Sequence, residues 1–151
     1  MRSIPPRLPT LALLAFGGAA TIGGARAEPP ATDLALRGVM QQLGRDMQTI
    51  VGAIATEDWA LVASTAPAIA RHPQPATEEK LRILGWLGSN AGKFRSYDSQ
   101  VHDAAAALTA AAAQTDGEAV IAAFASTQRA CLQCHREFRA AFGAHFRGTK
   151  P

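Results

Sequence analysis

The chain has 151 residues, enough for one domain around one core. Hydrophobic residues make up 48% and charged residues 18%, a balance that excludes a disordered chain and suits a globular one. The formal charge of +3 does not point to nucleic acid: its excess stands in Arg2, Arg7 and Arg26, and the remainder holds twelve basic and twelve acidic residues with no Lys/Arg run to meet a phosphate backbone.

Residues 1–27 have the three-part layout of a secretory signal peptide. Arg2 and Arg7 come first, an uncharged apolar run extends from Leu8 to Ile22, and Ala25-Arg26-Ala27 gives a small-x-small ending. Cleavage is expected before Glu28, which leaves residues 28–151 as one domain. The apolar run is too short, and too rich in Gly and Pro, for a span of roughly 20 residues, so no membrane span is expected after cleavage. The paired arginines of a Tat signal are absent.

The rest reads as helix, with apolar residues at steps of three and four and no β-branched alternation. Thr32 or Asp33 can cap a first helix, along which Leu36, Met40, Leu43, Met47, Ile50 and Ile54 form one stripe. Thr56 can cap a second helix carrying Trp59, Val62, Ala66 and Ile69, which Pro73 and Pro75 end. Thr77, Glu78 and Glu79 open a third, with acids at its positive end, reaching to about Ala113 and weakened near Gly88–Gly92. Thr115 and Glu118 have capping-box spacing for a fourth helix, where Val120, Phe124, Thr127, Cys131, His135, Phe138 and Phe142 share a face. Short connections favour antiparallel neighbours, so the expected fold is all-α, an up-down-up-down four-helix bundle.

The last of these helices contains Cys131-Leu132-Gln133-Cys134-His135-Arg136-Glu137-Phe138-Arg139, with the chain's two cysteines. A thioredoxin-like pair needs a βαβ setting, which is missing. A zinc site needs four ligands, and His135 and His145 are too widely spaced. A disulfide between residues three apart in a helix closes a strained loop and leaves the histidine unexplained. Cys-x-x-Cys-His as a c-type haem attachment site accounts for all three residues: two thioethers from Cys131 and Cys134, and an axial nitrogen from His135. Export agrees with attachment outside the cytoplasm. With little chain beyond His135, the second face of the iron is expected to be served from upstream.

This C-terminal motif resembles the ending of class II c-type cytochromes, the cytochrome c′ family, in which an aromatic and an arginine follow the histidine; here they are Phe138 and Arg139. Phe94 and Phe124 stand about where that family has core aromatics. Met40-Gln41-Gln42-Leu43-Gly44-Arg45-Asp46-Met47 is similar to the low-spin branch, whose methionine at the first of these positions binds iron. The resemblance covers roughly residues 33–55 and 94–142 and is weak between Glu57 and Gly92. It implies a four-helix bundle with one covalent haem c near one end, and it allows a homodimer.

Met40 is about seven residues from the expected start of its helix, and His135 about seven from the expected end of its own. In an antiparallel bundle this sets the two level and leaves Met47 roughly two turns too deep. Met40 is therefore the expected distal residue, either as an iron ligand or as an apolar lid. Arg37, one turn before Met40, is expected either to reach a haem propionate or to be a solvated surface arginine, and Arg139, one turn after His135, to border the proximal side. His72 is expected to be exposed in its Pro-rich loop, His102 to be a surface or rim histidine, His145 to lie in the tail, and Trp59 and Trp86 to be core. The loose Met and His residues lack the clustering of a copper or zinc site. No acid/base pair or nucleophile motif marks an enzyme. Two functions stay open: a periplasmic electron carrier with His/Met-ligated iron and an unidentified redox partner, or a five-coordinate haem protein binding nitric oxide or carbon monoxide.

Overall fold

The structure, a computed structural model, describes residues 34–147. The expected signal peptide, its cleavage point and the caps offered by Thr32 and Asp33 lie outside the described residues. Five α-helices follow in order: α1 (Ala35–Ala55), α2 (Trp59–Ala70), α3 (Thr77–Leu87), α4 (Ala91–Ala113) and α5 (Gly117–Arg147), with no strand among the described residues. Helices α1, α2, α4 and α5 form the four-helix bundle, each packed on the next in the chain. No described helix is long and apolar enough to cross a membrane.

The α1 stripe behaves as its spacing predicts at the deep end, where Ile50 is completely buried and Ile54 packs against the core. Val62, Ala66 and Ile69 of α2 join it from one side, and Val101, Ala105, Leu108 and Ala112 of α4 from another. The ring of Trp59 rests on the start of α5, where a Cβ on Gly117 would stand 3.1 Å from the indole, a tight contact that a larger residue could make only if the ring gave way.

Three helix ends differ from expectation. Asp58, not Thr56, caps α2, its carboxylate accepting from the Leu61 amide at 2.9 Å. Thr56 instead closes α1, its hydroxyl donating to the carbonyls of Gly52 and Ala53. Asp116, not Thr115, serves α5, accepting from the Ala119 amide at 3.0 Å. In each case the aspartate has the short acceptor that reaches an amide three residues on. Leu34, the residue before α1, makes no side-chain cap. Glu79 of α3 supplies it, accepting from the Ala35 and Leu36 amides at 2.9 Å each.

The long third helix is two helices. Gly88 has φ +51° and ψ −124°, a conformation that L side chains avoid, and a 3₁₀ turn over Gly88–Asn90 redirects the chain into α4. This places α3 across the end of the bundle. Ile83, Leu87 and Phe138 form a second core there, with Trp86 edge-on to Phe142 and Phe146. For the same reason α5 runs on to Arg147, and His145 is a helical residue stacked on Trp86 rather than part of a tail. Trp59 and Trp86 are core-packing residues, as expected.

One seam of the bundle stays open. Packing is extensive between α1 and α2, α2 and α4, and α4 and α5, whereas α1 and α5 scarcely touch.

Candidate functional site

The open seam is a cavity of about 380 Å³. From α1 it is lined by Leu36, Arg37, Met40, Leu43, Gly44 and Met47, and from α5 by Cys131, Cys134, His135, Phe138, Arg139 and Phe142. Phe94, Asp98 and Val101 of α4 form its floor with His72. All six residues singled out in the sequence for a haem site therefore line one cavity: Cys131, Cys134, His135, Met40, Arg37 and Arg139.

Helix geometry explains the α5 wall. Positions 131, 134 and 135 follow at three and four residues, so they share one face, one turn apart. Leu132 and Gln133 between them are exposed. Both cysteines are half-buried, and burial lifts their thiols above the ordinary range. For Cys134 burial, reinforced by the nearby charges of Asp98 and Cys131, raises the value to about 11. The thiols are thus neutral near pH 7. His135 was expected on the buried face; it is exposed, because the seam beside it is open. Its pKa is lowered, first by desolvation and then by the Arg139 charge, so the imidazole keeps a free lone pair at neutral pH.

On the α1 wall the two methionines differ in burial, not in access to the cavity. Met40 is 39% exposed, while Met47 is half-buried and packs on the main core as it lines the cavity's inner end. Met47, expected about two turns too deep to serve the iron, lines the same cavity as Met40. Counting from helix ends misjudged α5, which continues five residues beyond Phe142. Arg37 and Arg139 are both exposed and line the cavity.

These residues fit a covalently held haem. Two neutral thiols and an uncharged imidazole lie on one helical face, opposite an apolar wall bearing thioethers, with an arginine on each side to meet carboxylates. Every buried side-chain polar atom among the described residues already has a partner.

One neighbour, His72, was misread from the sequence. His72 is buried, at 8% exposure, rather than exposed in its loop. Its Nε2 stands 3.3 Å from Asp98 Oδ1, and its ring centroid 4.8 Å from that of His102. His102 is half-buried, with Nε2 3.4 Å from Asp98 Oδ2. Clustering of histidines, judged absent from the sequence, is present. A signal existed: Phe94, Asp98, Val101, Ala105, Leu108 and Ala112 recur at steps of four and three, and one aspartate in an apolar stripe marks a polar site at the core's edge.

No curated protein and no solved structure matches the chain. The family model described as Cytochrome C′ matches residues 35–139, from the first residue of α1 through the arginine that follows the CxxCH segment. With more than half of its length under that match, the chain belongs to the cytochrome C′ family.

Proposed function

We infer from family membership a covalently bound haem c and, since members of the family are typically periplasmic, export. We propose that this protein is an exported electron carrier, with one haem attached through Cys131 and Cys134 and with His135 and Met40 as axial ligands. When bound, the haem supplies a one-electron couple at its iron. The neutral thiols of Cys131 and Cys134 anchor it, and the uncharged His135 imidazole offers a nitrogen lone pair. The Met40 thioether, a soft donor, favours reduced iron and a higher potential. Arg37 and Arg139 offset the charge of the propionates. Leu36, Leu43, Phe94 and Phe138 exclude water and keep the local dielectric low, which limits reorganisation around a changing charge.

The observation that carries this reading is the seam itself. One wall presents a methionine at the position where the low-spin branch has its ligand, and the facing wall presents Cys-x-x-Cys-His. A second reading rests on the 39% exposure of Met40. A side chain held so loosely also suits a lid over five-coordinate iron that binds nitric oxide or carbon monoxide. Optical and resonance Raman spectra of the oxidised holoprotein discriminate the two. The electron-carrier reading expects low-spin iron and a weak near-infrared thioether-to-iron band. Met40→Ala then removes the band, lowers the potential and admits carbon monoxide. A wild-type protein that is high-spin and binds carbon monoxide readily makes gas binding the correct reading.

A further inference from the structure

A cluster at the floor of the cavity lies outside the CxxCH segment and holds none of the six residues read as a haem site. It joins the end of α2 to the middle of α4. Each of its two histidines is anchored through Nδ1 to a backbone carbonyl: His102 to Ala70, and His72 to Pro73 at 3.3 Å. A carbonyl only accepts, so each Nδ1 carries the proton. In a neutral imidazole the other nitrogen, Nε2, is then a bare lone pair. Both Nε2 atoms face Asp98, at 3.3 Å from Oδ1 and 3.4 Å from Oδ2. The carboxylate is also acceptor-only. With both rings neutral, three acceptors thus converge with no donor between them, an arrangement that takes up either a proton on an Nε2 or a cation among the three.

We propose that His72, Asp98 and His102 form a binding site for a divalent transition-metal ion of the zinc class. One such ion meets all three acceptors at once, whereas protons would have to be added to both rings separately. The donor set, two imidazoles and a carboxylate, is that of zinc, copper and nickel rather than of calcium or magnesium. The spacing agrees. Ligands at about 2.0–2.1 Å from a tetrahedral ion stand roughly 3.3–3.4 Å apart, the separation of each Nε2 from its Asp98 oxygen. The three donor atoms lie within 4.8 Å of one another, so a modest closing of the two rings completes the triangle. The backbone carbonyls at Ala70 and Pro73 are the outer partners that metal-binding histidines require to fix tautomer and orientation. The side chains of His102 and Asp98 are 30% and 36% exposed, so an ion has a path in from solvent. Three protein ligands leave a fourth position for water or a small anion.

The test is calorimetric titration of Zn²⁺ into the untagged, haem-loaded protein. Zinc is redox-silent and leaves the iron's state unchanged. The expected result is one ion per chain. Asp98→Asn and His102→Ala should each weaken binding by about 100-fold or more, beyond the roughly 10–100-fold that loss of an outer partner costs. His145→Ala, which alters only the ring stacked on Trp86, should bind as the parent does. Should a ligand variant fail to fold, Cu²⁺ electron paramagnetic resonance of the parent protein gives the same answer by showing two nitrogen donors. Absence of stoichiometric Zn²⁺ binding, undiminished binding in His102→Ala, or a copper spectrum without two nitrogens overturns the proposal and leaves a proton-bridged pair. Because the assay reads zinc and not iron, its outcome is independent of how the haem is ligated.

Discussion

Truncating Glu79 to alanine tests how the wall bearing Met40 is held. Glu79 belongs to α3, yet its two carboxylate oxygens accept from the first two amides of α1, each at 2.9 Å. Met40 lies five residues beyond Ala35 on that helix. Loss of an N-cap costs about 0.5–2 kcal/mol, and loss of a carboxylate at a helix's positive end about 0.3–1 kcal/mol. Water can replace the carboxylate at the exposed Ala35 amide but less readily at the part-buried Leu36 amide, so the total should be about 1–2 kcal/mol. For a domain of this size that lowers Tm by roughly 4–10 °C. Thermal unfolding of the holoprotein, followed by circular dichroism, measures it. Glu79 is also in the first turn of α3, so Glu78→Ala is the control: it removes a neighbouring charge from the same turn without reaching α1. Amide exchange at the start of α1 should accelerate in Glu79→Ala and not in Glu78→Ala. Equal shifts in both variants, or unchanged exchange in α1, would refute the cross-helix cap.

Further outcomes follow from other features. Gly88→Ala should cost about 1–3 kcal/mol in chemical denaturation, since φ +51° is strained for a side chain although space is open; Gly85→Ala, in the helical part of α3, should instead stabilise by about 0.5–1 kcal/mol. Met47→Ala should lose about 2 kcal/mol, the low end for a core methionine because it is half-buried, and leave the near-infrared band intact. The His72–Asp98 contact predicts a two-sided pH profile. The hydrogen bond to Asp98 raises the His72 pKa above 6.5, so its contribution is complete below pH 6.5 and is lost as pH rises through the elevated value. The bond to His72 lowers the Asp98 pKa below 3.8, so that contribution holds above pH 3.8 and is lost as pH falls through the depressed value. Urea unfolding across pH 3–9 should flatten on both sides in Asp98→Asn. Intact mass of protein from a maturation-competent host should equal the chain from Glu28 plus one haem; a mass without haem rejects attachment at Cys131 and Cys134.

Local pattern was enough for most of the fold. The α1 stripe, the α5 face and the weak point at Gly88 follow from periodicity and from one residue's backbone freedom, and both walls of the cavity are stripe positions. Relations between distant segments were harder to read. His72 follows a helix end and precedes proline, the composition of an exposed turn, and only the packing of α2 on α4 reveals that it is covered and faces Asp98. Glu79 reads as a first-turn acid of its own helix, and nothing local says that it also completes another. The misplaced caps have a simpler origin. Thr56 and Asp58, like Thr115 and Asp116, are competing capping residues within two positions, and the choice depends on where the chain turns, at Glu57 (φ 54°) and Thr115 (φ 52°).

The poorly packed seam between α1 and α5 also bears on the protein's lifetime in the cell. Two helices that barely meet contribute little cohesion across that line, and the faces they would have shared are apolar. A haem held as proposed, joined to one wall and met by the other, would add cohesion along that line, and its thioethers would make the gain permanent. A chain that misses attachment keeps a loose edge helix, prone to open locally, with a greasy groove behind it. Proteases act on such openings in proportion to their frequency. On the proposed attachment, loading and turnover would be linked, with haem-free copies degraded faster than mature ones.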